Sequence, residues 1–201
     1  MNKGLLIVVS APSGCGKGTI LKEILKDERF YYSVSATTRE PREGEIDGVH
    51  YRFYSREKFE QLVSENVMLE HAEYCNNYYG TRGDIVEEMR NKGKDVILEI
   101  EVQGAMNVMK KCPDAVSIFI LPPSVKELER RLRKRGTEKE DVIAERLSKA
   151  LDEISHANQY KYIIVNNALE DAVDDFKAVI KAERLKAEYA GEILDEVVKN
   201  A

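Results

Sequence analysis

The sequence predicts an α/β fold: a parallel sheet core flanked by helices, carrying a mixed α+β insert and a shorter charged insert. Three observations predict it. Short apolar runs rich in branched residues alternate along the chain with helical patterns. The first of these runs leads directly into a glycine-rich loop and then a helix. Between about Ser33 and Gly93 the rhythm breaks, and short strand-like pieces alternate with turns.

The elements follow in order. Gly4-Leu-Leu-Ile-Val-Val-Ser10, followed by Pro12 and Gly14, reads as a strand buried on both faces. From Thr19 to Lys26 the apolar residues at 20, 21, 24 and 25 have helical spacing. The runs Asp95–Ile100, Ala115–Leu121 and Tyr162–Val165 each precede a helical pattern, beginning near Gln103, Ser124 and Leu169. Strands alternating with helices in this way form parallel sheets with right-handed crossovers. The core therefore comprises 1–33, 94–125 and 147–201, its tail from Ala168 being an amphipathic helix that packs back on the sheet. The segment 34–93, with turns such as Asp47-Gly48, is the mixed insert. Residues 126–146, strongly charged and centred on Arg135-Gly136-Thr137, form the short one.

Composition narrows the function. A chain of 201 residues is one compact domain. A net charge of −5 weighs against a general nucleic-acid binder. The longest apolar run, Leu5–Val9, is too short for a bilayer span or a signal sequence. Cys15, Cys75 and Cys112 are odd in number and far apart, which fits neither a disulfide framework nor a zinc cluster and points to a reduced cytoplasm. His50, His71 and His156 are equally scattered and are not expected to bind metal. Small-molecule partners are expected, with neither nucleic acid nor membrane; monomer and homo-oligomer both remain open.

The loop carries the first chemistry. Ala11-Pro-Ser-Gly-Cys-Gly-Lys-Gly18, with Thr19 next, is close to the P-loop pattern G-x-x-x-x-G-K-[ST]. Phosphate needs many donors at short range. Glycines let successive backbone N–H groups turn inward, and the following helix adds its positive end. Ala11, Pro12, Ser13, Gly14, Cys15, Gly16, Lys17, Gly18 and Thr19 are thus candidate residues for binding a nucleotide's phosphates, with Lys17 reaching the β- and γ-phosphates. Ala11 replaces the usual first glycine. Gly18 replaces the usual Mg²⁺-touching hydroxyl, and Thr19 is one place late, about 100° around the helix. Mg²⁺ is therefore expected to be held mostly by water, with no direct protein ligand assigned. Cys15, among these donors and near Lys17, has two open readings. One is a thiol with a lowered pKa that is the most reactive of the three; the other is a small filler whose sulfur points away from the loop.

The loop alone says only nucleotide. Arg39 and Arg42 offer paired forks for a phosphate dianion, and Tyr51 and Tyr79 offer hydroxyls, although surface arginines and core tyrosines would look the same. Arg130-Arg-Leu-Arg-Lys-Arg135 suits a solvated helix face, a nucleic-acid patch, or a cluster that stabilises a transferring phosphoryl group. Glu99 and Glu101, read as ending a strand on one face, could orient Mg²⁺ waters and an acceptor.

Four strings in order decide between these readings: Ser35-Ala-Thr-Thr-Arg39-Glu-Pro-Arg42-Glu-Gly-Glu45, Gly48-Val-His-Tyr51, Asn77-Tyr-Tyr79-Gly-Thr81 and Glu99-Ile-Glu101-Val-Gln103-Gly104. With the loop, they resemble the guanylate kinase family over roughly Lys3 to Ala187. The resemblance implies transfer of the γ-phosphoryl group of ATP to GMP, and to dGMP, in guanine nucleotide metabolism. It assigns Arg39, Arg42, Tyr51 and Tyr79 to the acceptor phosphate. It matches Glu70 to the carboxylate that reads guanine N1–H and the 2-amino group, and Ser35 and Thr81 to hydroxyls on the O6 side. Glu45, Glu99, Glu101 and Gly104 complete the acceptor site. Arg131, Arg135 and Arg146 are placed in a closing lid, and Asn166 beside the adenine. Lys17, Arg39 and the three lid arginines are the expected catalytic groups. Two rivals are a kinase for another monophosphate and a non-catalytic interaction module of the same fold.

Overall fold

The structure, a computed structural model, describes residues 3–134, 140–189 and 196–199. In chain order β1 (Leu6–Ser10) leads through the glycine loop to α1 (Lys17–Ile24) and β2 (Phe30–Tyr32). Next come β3 (Ala36–Thr37), β4 (Arg52–Phe53), α2 (Arg56–Ser64), β5 (Met68–Tyr74), β6 (Asn77–Arg82) and α3 (Gly83–Asn91). Then follow β7 (Asp95–Glu99), α4 (Val102–Lys111), β8 (Val116–Leu121), α5 (Val125–Lys134), α6 (Glu140–Ser155), β9 (Tyr162–Val165) and α7 (Leu169–Arg184).

The main sheet has the order β2-β7-β1-β8-β9, and all its pairings are parallel. The expected strands are there, and β2 joins them at the edge beyond β7. The apolar runs lack alternation because both faces are covered. Ile7, Val9, Ile97, Ile118 and Ile120 pack against α1 and α7 on one side. Leu6, Val8, Val96, Leu98 and Phe119 pack against α3 and α4 on the other. Asp95 ties the edge together: it accepts the Leu5 N–H at 2.8 Å and faces the Arg184 guanidinium at 2.7 Å. The strand that carries Glu99 is thus anchored at its far end to α7.

The middle of the chain forms a second sheet, β4-β3-β6-β5, with a small core of Ala36, Phe59, Leu62 and Met68 beneath α2. β5 and β6 form a hairpin whose two-residue turn has positive φ at Cys75 (48°) and Asn76 (60°), the backbone of a tight primed turn. One extra residue between Met68 and Glu70 makes a bulge, which sets Glu70 directly opposite Thr81. The helix that ends this region, α3, sends Val86 into the core of the main sheet.

The charged insert is part of a helical hairpin. α5 and α6 zip through Leu128, Leu132, Ile143, Leu147 and Ala150, which leaves the charges outside. Arg135, Gly136 and Thr137 lie outside the described residues.

Candidate active site

The carboxyl ends of the parallel strands converge, as ligand sites in open α/β sheets do. Every residue from Ala11 to Thr19 lines one cavity of about 730 Å³. The loop's shape depends on two glycines. Gly14 and Gly16 have φ of 88° and 91°, and a β-carbon on Gly16 would stand 2.5 Å from the Asn166 amide nitrogen. That amide, buried beneath the loop, donates to the Cys15 carbonyl at 2.7 Å. Arg131 donates to the same carbonyl at 3.3 Å and to the Asn166 carbonyl at 3.1 Å, while Glu127 holds its Nε at 2.8 Å. With an outward carbonyl satisfied from behind, the loop is braced from its far side.

This arrangement bears on three of the residues singled out in the sequence. Asn166, expected beside an adenine, has its amide committed to the loop backbone. Arg131, expected over the phosphates, has its guanidinium turned behind the loop, where the Cys15 and Asn166 carbonyls and Glu127 take its N–H groups. Cys15 is fully buried, with Sγ directed at the Ile120 carbonyl 3.3 Å away. Burial pushes its thiol up to about 12, against the weaker opposing pull of Arg131 and Lys17. The sulfur thus points away from the loop, the geometry of the filler reading. Arg146, by contrast, reaches the loop from α6: it lines the cavity and donates to the Ser13 hydroxyl.

A second cavity, of about 310 Å³, opens between the two sheets. Ser35, Tyr51, Glu70, Tyr79, Glu99, Glu101 and Gly104 all line it. Glu70 is 6% exposed, and burial raises its pKa, opposed by the Thr81 hydrogen bond and the Lys111 charge. Thr81 donates to Glu70 Oε1 at 2.7 Å, and a β-carbon at Gly104 would come within 3.0 Å of Oε2. Glycine there keeps the second oxygen uncrowded. Thr81, matched in the sequence to a hydroxyl on the O6 side, is here a hydrogen-bond partner of the carboxylate. The bulge explains this, since it makes the two residues cross-strand partners.

At the cavity's side, Arg39 donates to Glu45 Oε1 at 2.9 Å and lies 5.4 Å from the Tyr51 ring centroid. Tyr51 and Tyr79 meet edge to face at 6.1 Å. Glu45 also accepts the Arg42 backbone N–H at 2.7 Å, and these bonds, the one from Arg39 first, hold its carboxyl at about 2. Glu45 is thus an anion that sets the Arg39 fork. The Arg42 guanidinium is exposed rather than among the cavity's lining groups.

The two cavities share Tyr74, Glu99 and Glu101. Glu99 lies 3.5 Å from Lys17 and accepts from the Tyr32 hydroxyl at 3.1 Å. β7 stops at Glu99, and Glu101 is the residue preceding α4, so the two carboxylates do not share a strand face as expected. They frame the same junction nonetheless. Tyr32, Tyr74, Lys149 and Glu153 were missed by the sequence reading. Lys149 had a signal: it lies three residues after Arg146, on the same helix face.

Comparison with known proteins completes the description. The family model described as guanylate kinase matches residues 3–183. The chain is 53% identical over 187 residues to a guanylate kinase of Carboxydothermus hydrogenoformans, with 92% of each chain covered. It is 49% identical over 199 residues to one of Bacillus cereus, covering 98% of this chain and 97% of that one. Among solved structures, that of a guanylate kinase from Anaplasma phagocytophilum superposes with a TM-score of 0.74 at 38% identity, covering 92% of this chain and 89% of the other.

Proposed function

The chain belongs to the guanylate kinase family, and from that premise we propose how its geometry performs the family's reaction: it transfers the γ-phosphoryl group of ATP to GMP, giving ADP and GDP. One observation carries the reading. A phosphate loop and a buried carboxylate open into two cavities that meet at Glu99, Glu101 and Tyr74.

The backbone N–H groups of the loop and the end of α1 hold the ATP phosphates, and Lys17 contacts the β- and γ-oxygens. Arg131 and Asn166 keep the loop in shape, and Arg146 adds charge from α6, joined in this reading by Arg135, which lies outside the described residues. Glu70 accepts both guanine donors, Ser35 serves O6, and Thr81 orients Glu70. Arg39, Arg42, Tyr51 and Tyr79 hold the acceptor phosphate, with Glu45 holding Arg39. An oxygen of GMP then bonds to Pγ while the bond from Pγ to the β–γ bridging oxygen breaks, its electron pair leaving with ADP. No bond to the protein forms. Catalysis is positioning plus charge stabilisation.

The donor set fits Mg²⁺ brought in on ATP. Gly18 has no hydroxyl, and no group of three or more His, Cys, Asp or Glu among the described residues is placed to hold a metal. Glu99 and Glu101 stand where they would accept hydrogen bonds from the ion's waters. Bound there, the ion would supply positive charge to the β- and γ-oxygens.

dGMP serves as a second acceptor, and the reaction runs in the cytoplasm. No helix among the described residues is long and apolar enough to cross a membrane. The test is an ADP-release assay with ATP, Mg²⁺ and each of GMP, dGMP, AMP, CMP, UMP and dTMP. Turnover is expected with the guanine nucleotides; preference for AMP, or none at all, would overturn the reading.

A further inference from the structure

Two carboxylates frame the junction of the cavities, and each faces a lysine. Glu99 faces Lys17 at 3.5 Å, and Glu101 faces Lys149 of α6 at 3.6 Å. Lys149 lines the larger cavity, and its Nζ lies 5.4 Å from the Tyr74 ring centroid and 4.0 Å from Glu153 Oε1. Three separate elements therefore converge on one ammonium: the end of β5, the start of α4, and α6.

These contacts are too weak to be a structural staple. The side chains of Lys149 and Glu101 are 49% and 71% exposed. An exposed ion pair and an exposed cation–π contact barely offset the rotamer freedom a lysine loses in making them. Both carboxylate distances also exceed hydrogen-bonding range, so neither contact fixes the direction of an N–H. What the arrangement does achieve is electrostatic. It keeps a positive charge on a long flexible stem beside the point where a donor phosphate and an acceptor phosphate must touch.

We propose that Lys149 is a second phosphate-directed lysine of this site, the counterpart on α6 of Lys17 on the loop. It rests on Glu101 and the Tyr74 ring, and it turns its ammonium onto the phosphoryl group in transit when a nucleoside triphosphate and a monophosphate occupy the two cavities together. It forms no covalent bond and passes no proton; it supplies charge where charge spreads over the transferring oxygens. Because that charge matters at the junction, the loss falls on turnover rather than on either nucleotide alone. The inference rests on the phosphotransferase reading above.

The test is Lys149→Met, which keeps the stem and removes the charge, beside Lys149→Arg. With ATP, Mg²⁺ and GMP, Lys149→Met should lower kcat about tenfold, less than a buried oxyanion donor because half-exposed charge is screened. Each KM should stay within about twofold, melting should be unchanged, and Lys149→Arg should recover most of kcat. A bisubstrate analogue, adenosine and guanosine joined through five phosphates, should bind Lys149→Met about tenfold more weakly, with ADP and GMP separately unaffected. Wild-type kcat in Lys149→Met, an equal loss in Lys149→Arg, or a loss matched by lower melting would overturn the proposal while leaving the kinase reading standing. A parent protein that fails to turn over GMP would overturn both.

Discussion

In the proposed reading the two cavities hold similar anions by opposite means. On the ATP side recognition is made by backbone: N–H groups of a loop whose glycines take left-handed φ and whose outward carbonyl is capped from behind by Asn166 and Arg131. On the GMP side it is made by side chains standing on short strands over a small core of their own. Backbone donors cannot be substituted away, but they read only charge and shape. Side chains can tell one base from another, and each can be lost in a single step. In this reading affinity for the donor phosphates is therefore robust, and identity of the base is fragile.

The sharpest way to break this comparison is Lys17→Ala. In the proposed reaction Lys17 meets the reacting phosphate through its side chain rather than its backbone. Its loss should lower kcat at least ~10²-fold with melting unchanged; an unchanged kcat would mean the loop has been misread. Glu70→Gln probes the other cavity. An amide turns one donor toward guanine, so kcat/KM for GMP should fall by about 2–3 kcal/mol while KM for ATP stays put. Parallel loss of both nucleotides would make Glu70 structural.

The same variant has a stability signature. Burial raises the Glu70 pKa, so the native state holds that proton more tightly than the unfolded chain does. The associated stability is complete at low pH and is lost as pH rises through the native pKa. Glu70→Gln should therefore melt no lower than the parent at neutral pH, as thermal scans would show.

Thr81→Val sharpens the comparison more gently. It removes the hydroxyl that draws the Glu70 pKa back down, worth about 1 kcal/mol as a hydrogen bond. Guanine needs the ionised carboxylate, so GMP affinity is lost as pH falls through that pKa. In the variant the acid limb of kcat/KM for GMP should move to higher pH, and the profile for ATP should not move. The smallest effect is at Cys15. Limited alkylation read by mass spectrometry should label exposed Cys75 first and Cys15 last, with ATP making no difference to Cys15.

The same contrast explains what could be read from the sequence. The loop and four of the five strands of the main sheet were legible because both are local: a fixed spacing, or an unbroken apolar run; β2, three residues at the edge, was not. The acceptor residues were legible only as strings in order, since nothing in Met68-Leu-Glu70-His distinguishes a base-reading carboxylate from a solvated one. Directions of side chains were not legible. Whether Cys15 faces the phosphates or the Ile120 carbonyl depends on β8, more than a hundred residues away. The Thr81 proton goes to Glu70 because of one bulge residue. Glu101 missed its expected strand face because the chain leaves β7 after Glu99 and enters α4 at Val102.

One feature of the sheet has an evolutionary reading. β2 and β7 are neighbours, with Phe30 beside Asp95, and the side chains proposed to read the base, Ser35, Glu70 and Thr81, lie in the chain between them. In topological terms that whole region is a single loop leaving and re-entering one edge of the sheet. Closing a loop costs only about 0.6 kcal/mol more for each doubling of its length. A lineage could therefore lengthen, shorten or replace the base-reading segment at little cost to the sheet. The donor half could stay fixed while the choice of acceptor drifts.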